Sequence, residues 1–252
     1  MQQPFRSVIR AAFSLKEDTA SHEEIRERII GNGKVTGTNL CVLVLAMLIA
    51  SVGLNTNSTA VIIGAMLISP LMGSILAMAH GAVSVNTDQF KRSAYGFLFQ
   101  ILLSVAASAI YFLLSPRKEA TSELLARTTP GFYDVMIAVC GGLAGIIGQT
   151  RKDRSGTVIP GVAIATALMP PLCTCGFAIA NGQWRMLAGA AYLFIVNTYF
   201  IFTSSAVVLA LLRIPREREL TEKEWILLRK NMIRNTIIIL IPAAAFTFIL
   251  AQ

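Results

Sequence analysis

Long stretches without a charged residue constrain this chain more than any other feature of its sequence. Residues 93–114 and 186–212 contain no Asp, Glu, Lys or Arg. Each is long enough for an α-helix that crosses the hydrocarbon core of a bilayer, which takes about 20 residues. Only 14% of the 252 residues are charged, against about 25% in typical soluble domains. The sequence therefore predicts an all-α integral membrane protein rather than a soluble enzyme.

Seven apolar segments are predicted to form transmembrane helices. Their approximate ranges are 40–54, 60–82, 93–114, 132–148, 156–180, 186–212 and 232–251. The first and the fourth are short for a span, so we expect them to tilt or to thin the bilayer locally. The predicted organisation is a basic cytoplasmic arm (1–38), a first membrane repeat (39–114), an external loop (115–131), a second membrane repeat (132–212), a cytoplasmic loop helix (213–231) and a C-terminal transmembrane helix (232–252).

Two capping-box patterns predict helices outside the apolar segments. Ser21 and Glu24 predict a helix through Ile30, and Thr221 and Glu224 predict one that leads into the last span. Residues 5–13 place apolar side chains on one helical face beside arginines, which is typical of a helix at a membrane surface. A solvated helical arm is an equal alternative for the first 38 residues.

The Lys and Arg residues are distributed unevenly between the two sides of the predicted arrangement. With the N-terminus in the cytoplasm, 18 of the 22 lie in cytoplasmic segments and 4 in external ones, as the positive-inside rule requires. The alternative has five spans, with segments 60–82 and 156–180 re-entrant, and then the counts are 16 and 6. Both arrangements stay open and both predict a multi-pass protein of the cytoplasmic (inner) membrane with a cytoplasmic N-terminus.

Two parts of the chain resemble each other. Residues 64–71 (GAMLISPL) align with 165–172 (ATALMPPL), and further on Tyr95 matches Tyr192 and Gln100 falls opposite Asn197. Because each predicted repeat has three spans, the second copy enters the membrane from the opposite side, which gives inverted repeats as in many secondary transporters. Chance similarity between apolar helices is the alternative.

Prolines interrupt the second helix of each predicted repeat. Proline has no N–H and clashes with the carbonyl four residues earlier, so Pro70 is predicted to free the carbonyl of Met66, and the Pro170-Pro171 pair those of Thr166 and Ala167. Such carbonyls in hydrocarbon must face protein, water or a ligand. We therefore predict a midplane site between two broken helices, with structural kinks alone as the alternative. The predicted substrate- or ion-binding residues are Met66, Ser69, Pro70, Gly73, Gln100, Thr166, Ala167, Pro170, Pro171, Thr174 and Asn197.

The sequence lacks the patterns of an enzyme or a metal protein. It contains no catalytic triad, HExxH motif, phosphate loop or carboxylate pair at usable spacing, so we predict no catalytic residues, metal or cofactor. The net charge of +8 comes from residues between apolar segments, which indicates topology signals rather than nucleic-acid binding. The expected partners are the lipid bilayer, a small solute or ion, and a second copy of the chain in a homo-oligomer.

Five stretches carry a resemblance to a known family. They are AVIIGAMLISPLM at 60–72, RTTP at 127–130, GGLAG at 141–145, VAIATALMPPL at 162–172 and LFIVN at 193–197. With these stretches, the chain resembles, over about residues 40–205, the bacterial and archaeal membrane family called domain of unknown function 389. The resemblance implies a polytopic membrane protein and carries over no substrate, mechanism or functional residue.

We therefore predict a membrane transporter of a small solute or ion. A channel is the nearest alternative. A non-transporting sensor or scaffold is the second, in which the basic arm and the helix near 221–231 bind a cytoplasmic partner. The charge of the solute stays open, because helix N-termini favour anions and free carbonyls favour cations.

Overall fold

The computed structural model describes residues 19–152, 158–219 and 221–250, with the backbone alone for 158–167, 228 and 242–250. Within these ranges the chain is helical apart from turns and one isolated bridge between Thr19 and Arg151. The helices are α1 (His22–Asn32), α2 (Gly37–Asn55), α3 (Thr59–Leu67), α4 (Leu71–Val83), α5 (Thr87–Leu114), α6 (Ser122–Leu125), α7 (Phe132–Thr150), α8 (Val158–Ala180), α9 (Trp184–Leu211) and α10 (Glu222–Leu250).

Four of the described helices are long and apolar enough to cross a membrane, namely α2, α5, α7 and α9. The number rises to five if α3 and α4, which are bent by 49° at a short break, form one span. These helices confirm the all-helical character and several of the seven apolar segments that the sequence predicts. Helix α8 adds a shorter apolar stretch over Leu168–Ala180.

Local signals in the sequence account for several helix ends. The capping box of α1 is confirmed, since Ser21 and Glu24 exchange backbone and side-chain hydrogen bonds at 3.2 and 3.3 Å. Helix α2 begins earlier than predicted because the Thr36 hydroxyl accepts a hydrogen bond from the N–H of Asn39. Asp134 caps α7 by accepting from the N–H of Gly131 at 2.8 Å. The predicted surface helix at residues 5–13 lies outside the described residues.

The predicted loop helix and C-terminal helix are one continuous helix, α10. Thr221 starts it, and its N–H and hydroxyl both donate to the carboxylate of Glu224 at 2.9 Å. The helix runs without interruption across the predicted boundary at residues 231 and 232. Charged residues up to Arg234 and the apolar residues that follow are both compatible with helix, so the change in polarity does not end it.

One end of the helix bundle gathers basic residues, and we call it the basic end. It contains α1, the C-termini of α4, α7 and α9, and the N-terminus of α5. Asn32 donates to Gln149 at 3.1 Å and so joins α1 to α7. Glu217, which follows α9, accepts from Asn86 at 2.7 Å and donates its N–H to the carbonyl of Ser84.

The other end of the bundle, the distal end, joins the α2–α3 turn to the segment after α5. The side-chain oxygen of Asn57 accepts one hydrogen bond from the hydroxyl of Ser122 at 2.9 Å and one from the N–H of Glu123 at 3.1 Å. Helices α3 and α4 together therefore run from the distal end to the basic end. Helix α8 is followed by α9, whose Gly189 approaches the carbonyl of Thr128 near the distal end. Helix α8 therefore ends near the distal end and runs the opposite way.

Helix α9 lies at the centre of the bundle. Its most apolar window is 61% buried, against 33–39% for α2, α5 and α7, and it packs on α4, α7 and α8. Small residues permit close approach, since a Cβ on Gly142 of α7 would collide with Ser204 of α9. Dispersion and such close packing hold helices together in lipid.

The lengths of two helix pairs are equal. Helices α2 and α7 have 19 residues each, and α5 and α9 have 28 residues each. Helix α9 begins and ends 97 positions after α5. The turns before α5 and α9 contain Val85 and Gly182 in the left-handed backbone region, with φ of 58° and 66°.

Candidate functional site

The helix break at Pro70 is confirmed. Helix α3 ends at Leu67 and α4 begins at Leu71. The prediction that the Met66 carbonyl is left free is wrong, because the N–H of Ser69 donates to it at 3.3 Å. The chain tightens into a shorter turn before the proline and so satisfies the backbone locally.

The second proline segment differs from its prediction. Helix α8 continues from Val158 to Ala180 with Pro170 and Pro171 inside it. Both prolines are buried, and the Thr174 hydroxyl donates to the Pro170 carbonyl at 2.9 Å. Packing against neighbouring helices can hold a membrane helix together at a proline. The side chains of the other two predicted residues in this segment, at positions 166 and 167 (Thr166 and Ala167), lie outside the described part of the chain.

A line of polar side chains follows the buried face of α5, and we call it the α5 polar stripe. Its members are Ser93, Gln100, Ser104, Ser108 and, just after the helix, Ser115. Their spacings of seven and four residues place them on one helical face. None is more than 9% exposed. The stripe therefore places five polar residues along the buried face of α5, with Phe97 and Phe112 in its two seven-residue gaps.

Neighbouring helices supply partners along most of the stripe. Ser74 of α4 donates to the side-chain oxygen of Gln100 at 2.9 Å. Ser108 lies 2.9 Å from Ser51 of α2 and donates to the carbonyl of Cys173 of α8 at 3.0 Å. These contacts connect α5 to α2, α4 and α8.

The stripe has a hydrogen-bond partner at its distal end, whereas one hydroxyl in its middle has none among the described residues. At the distal end Asn55 donates to Ser115 at 2.8 Å. The hydroxyl of Ser104 is fully buried and has no hydrogen-bond partner among the described residues. A buried hydroxyl usually has a partner, so Ser104 is available to a group that the protein itself does not supply.

Residues 33–36, which connect α1 to α2, cover the stripe from the basic end. A Cβ on Gly33 would lie 2.5 Å from the Cβ of Ala77, and one on Gly96 would lie 2.7 Å from the side chain of Val35. Gly73 is equally close to this segment, since a Cβ there would collide with the carbonyl of Asn32. Gly73 precedes Ser74 in α4, and Gly96 lies one helical turn before Gln100 in α5. Residues 33–36 therefore lie beside the Ser74–Gln100 pair.

A cavity of about 540 Å³ opens outside this connecting segment, and we call it the basal cavity. Arg26 and Lys34 line it from the α1 side, and Asp88, Arg92 and Ser93 line it from α5. Ser93 is also the first member of the α5 polar stripe. The cavity therefore joins the solvent at the basic end to the start of the stripe.

The structure brings together only part of the predicted site. Gln100 meets Ser74, and Gly73 meets the segment that covers them, while Asn197 is buried on α9. Ser69 is half-buried at the break, where its hydroxyl lies 3.5 Å from the N–H of Leu71. Within the part of the chain that the structure describes, no three His, Cys, Asp or Glu residues cluster as a metal site.

Sequence reasoning missed most of the stripe. Ser51, Ser104 and Ser108 read as ordinary small residues within apolar segments. The signal for Ser104 and Ser108 was their helical spacing with Ser93 and Gln100 on one face. Ser51 offered no such signal, because its partner lies on another helix.

Comparison with known proteins identifies relatives. A family model described as Domain of unknown function (DUF389) matches residues 66–203. The chain is also similar to an uncharacterised protein of Methanocaldococcus jannaschii, with 28% identity over 173 residues. That match covers 68% of this chain and 52% of the relative, so the chain spans about half the length of the curated relative it matches. No solved structure matches the chain.

Proposed function

The chain belongs to the DUF389 family, and we propose that it transports a small solute or ion across the cytoplasmic membrane along the α5 polar stripe. The family's description names no activity, so the proposal rests on the arrangement of the side chains. It assigns no catalytic residue and no cofactor.

The buried stripe is the observation that carries this proposal. From Ser93 to Ser115 it covers 22 residues, or about 33 Å of helix at 1.5 Å per residue, close to the hydrocarbon thickness of about 30 Å. Polar groups within membrane helices cost free energy unless they are paired, and they face the bundle interior or a solute path. A line of them over the whole span is more than helix packing needs.

We propose that the solute binds beside the Ser74–Gln100 pair. This pair lies just after the Pro70 break. The hydroxyl of Ser104, which has no partner among the described residues, is one helical turn further along α5. Ser69 lies in the break itself, and Gly73 lies in the first turn of α4 after it. The remaining predicted residues, which are Met66, Thr166, Ala167, Pro170, Pro171, Thr174 and Asn197, belong to the segments that pack around this point or to α9.

A carrier explains the closed basic end better than an open channel does. Residues 33–36 lie against Gly73 and Gly96 and so separate the Ser74–Gln100 pair from the basal cavity. Passage requires these residues to move. A carrier that works by alternating access opens to one side of the membrane at a time, so it needs a closed barrier on the other side.

Inverted repeats and a cytoplasmic N-terminus are part of the proposal. The equal lengths of α2 and α7 and of α5 and α9 support two related halves, and α3–α4 and α8 run in opposite directions. The gathering of Arg26, Lys34, Arg92 and Lys152 at one end of the bundle supports a cytoplasmic basic end.

Uptake into liposomes tests the proposal directly. The purified chain is reconstituted and offered a panel of radiolabelled anions, cations and neutral solutes. We expect saturable uptake of at least one class. Ser104→Ala should reduce this uptake by about 2- to 10-fold, the value of one hydrogen bond to the solute, and leave the unfolding temperature unchanged, because the Ser104 hydroxyl bonds to no described residue.

Ser204→Ala is the matched control. Ser204 is also a buried serine in a long helix, but its hydroxyl donates to Ile201 of its own helix, away from the stripe. Equal uptake by both variants, or no uptake of any solute, contradicts the proposal. Unitary currents in planar bilayers would assign a channel instead, and a stable cytoplasmic partner without flux would assign a sensor or scaffold.

A further inference from the structure

We infer that the basal cavity binds a small anion through a phosphate or carboxylate group. This inference deepens the proposed function, on which it rests, by naming the class of solute that enters at the basic end. The volume of about 540 Å³ lies within the 300–1,000 Å³ range of small-molecule sites.

The charges that line the cavity favour an anion. Three basic residues line the cavity, which are Arg26, Lys34 and Arg92, and Asp88 is the one carboxylate among the described lining residues. The lining therefore has a net charge of +2. Neither Lys34 nor Arg92 has a carboxylate within salt-bridge distance in the described chain. Arg26 reaches Glu217 only at 3.8 Å, with both side chains about half exposed, and such a pair contributes little.

The other polar groups of the cavity are already used. Asn86 accepts from the N–H of Gln89 at 2.8 Å and donates to Glu217, and Gln89 donates to the carbonyl of Ala77 at 3.2 Å. Asp88 lies in the first turn of α5, where a carboxylate offsets the positive end of the helix. The guanidinium of Arg92, the ammonium of Lys34 and the hydroxyl of Ser93 are left as donors to a ligand.

The basal cavity lies next to the start of the α5 polar stripe. Ser93 lines the cavity and begins the α5 polar stripe, and Arg92 is one helical turn before Gly96. The covering residues 33–36 line the same cavity, so an anion held by Arg92 lies next to them. Arginine matches the oxygens of a carboxylate or phosphate in a bidentate geometry. Lipid headgroups carry the same phosphate chemistry, and the experiment below separates the two sources.

Binding of inorganic phosphate to the full chain tests the inference. The chain is placed in nanodiscs of phosphatidylcholine, which has no net charge, and titrated with phosphate at constant ionic strength while the unfolding temperature and the heat of binding are followed. We expect phosphate and citrate to bind and to raise the unfolding temperature, since a ligand stabilises the state that it binds. Choline should have no effect.

Two variants with the same loss of charge locate the site. Arg92→Gln should weaken phosphate binding about tenfold or more, as expected for a charge-assisted bidentate pair. Lys91→Gln removes a neighbouring charge that does not line the cavity, and it should bind phosphate as the unchanged chain does. Equal weakening by both variants assigns the effect to diffuse surface charge and overturns the inference. The absence of phosphate binding overturns it as well, unless phosphatidylglycerol stabilises the chain through Arg92 as described next.

A second arm replaces phosphatidylcholine by phosphatidylglycerol. Stabilisation that depends on Arg92 in these discs, with no response to free phosphate, identifies a lipid headgroup as the source and keeps the anion site. Flux distinguishes this inference from the proposed function. Phosphate binding without flux of any solute removes the transporter and leaves the site, whereas flux of neutral or cationic solutes without anion binding removes the site alone.

Discussion

At Pro70 the chain ends one helix and starts another at an angle of 49°, whereas Pro170 and Pro171 both lie inside the single helix α8. The first segment closes its turn with a hydrogen bond from Ser69 to Met66. The second is surrounded by α5, α7 and α9 along its length. The segment with two prolines thus stays helical and the segment with one proline is broken, because the packing of neighbouring helices decides whether a proline ends a membrane helix.

The hydroxyl four residues after each proline shows the consequence. Ser74 follows Pro70 and donates to Gln100 on α5, whereas Thr174 follows Pro170 and donates to the carbonyl of Pro170 itself. The break turns a polar side chain towards another helix, and the continuous helix keeps it for its own backbone. This difference makes the first segment the better candidate for contact with a solute.

The largest expected effect concerns the close contacts that follow the prolines. Gly73→Ala should lower the free energy of unfolding by about 1–3 kcal/mol, as overpacking does, because its Cβ collides with the Asn32 carbonyl. It should also push residues 33–36 away and speed trypsin cleavage at Lys34. Thermal unfolding in detergent and timed proteolysis measure the two effects.

Two other glycines serve as references for this result. Gly176→Ala places a Cβ 2.6 Å from Ser108, so it should destabilise the chain without exposing Lys34. Gly64→Ala meets nothing within 4 Å and lies in a helix, where alanine gains about 0.5–1 kcal/mol over glycine. Cleavage at Lys34 that is unchanged by Gly73→Ala would show that Gly73 does not support the covering segment.

An intermediate effect is expected from the two hydroxyls. Ser74→Ala should cost about 0.6–1.7 kcal/mol, from the average to the maximum measured for hydrogen bonds between membrane helices, because it leaves the side-chain oxygen of Gln100 without this donor. Thr174→Ala should change stability little, since a hydroxyl bonded within its own helix contributes almost nothing. Chemical unfolding in mixed micelles measures both, and equal costs would remove the distinction between the segments.

The smallest effect separates the turns that follow the two segments. Val85 has a φ of 58° and Gly182 one of 66°, and a β-branched residue is strained in this region. Val85→Gly should therefore stabilise the chain by about 0.5 kcal/mol after the entropy of glycine is subtracted. Gly182→Ala should destabilise it by about 0.5–1 kcal/mol, without a steric contribution, since nothing lies within 4 Å of its Cβ. Shifts of the same sign in matched thermal scans would contradict this assignment.

The sequence alone predicted much of the helical framework. The uncharged stretch at 93–114 became α5, which extends further back to Thr87 because Asn86 caps it by accepting from Gln89. The capping box of Ser21 and the break at Pro70 were predicted correctly as well. Each of these features is local, since it depends on residues within about one helical turn or on the length of an apolar run.

The tertiary structure decided the features that depend on distant neighbours. The sequence identified Gln100 but could not pair it with Ser74, nor Ser108 with Ser51, because those partners lie on other helices. The continuity of α8 through Pro170 and Pro171 has the same cause. Local chemistry sets where a helix can begin, span and end, whereas packing between helices sets which proline breaks it and which polar side chain faces inward.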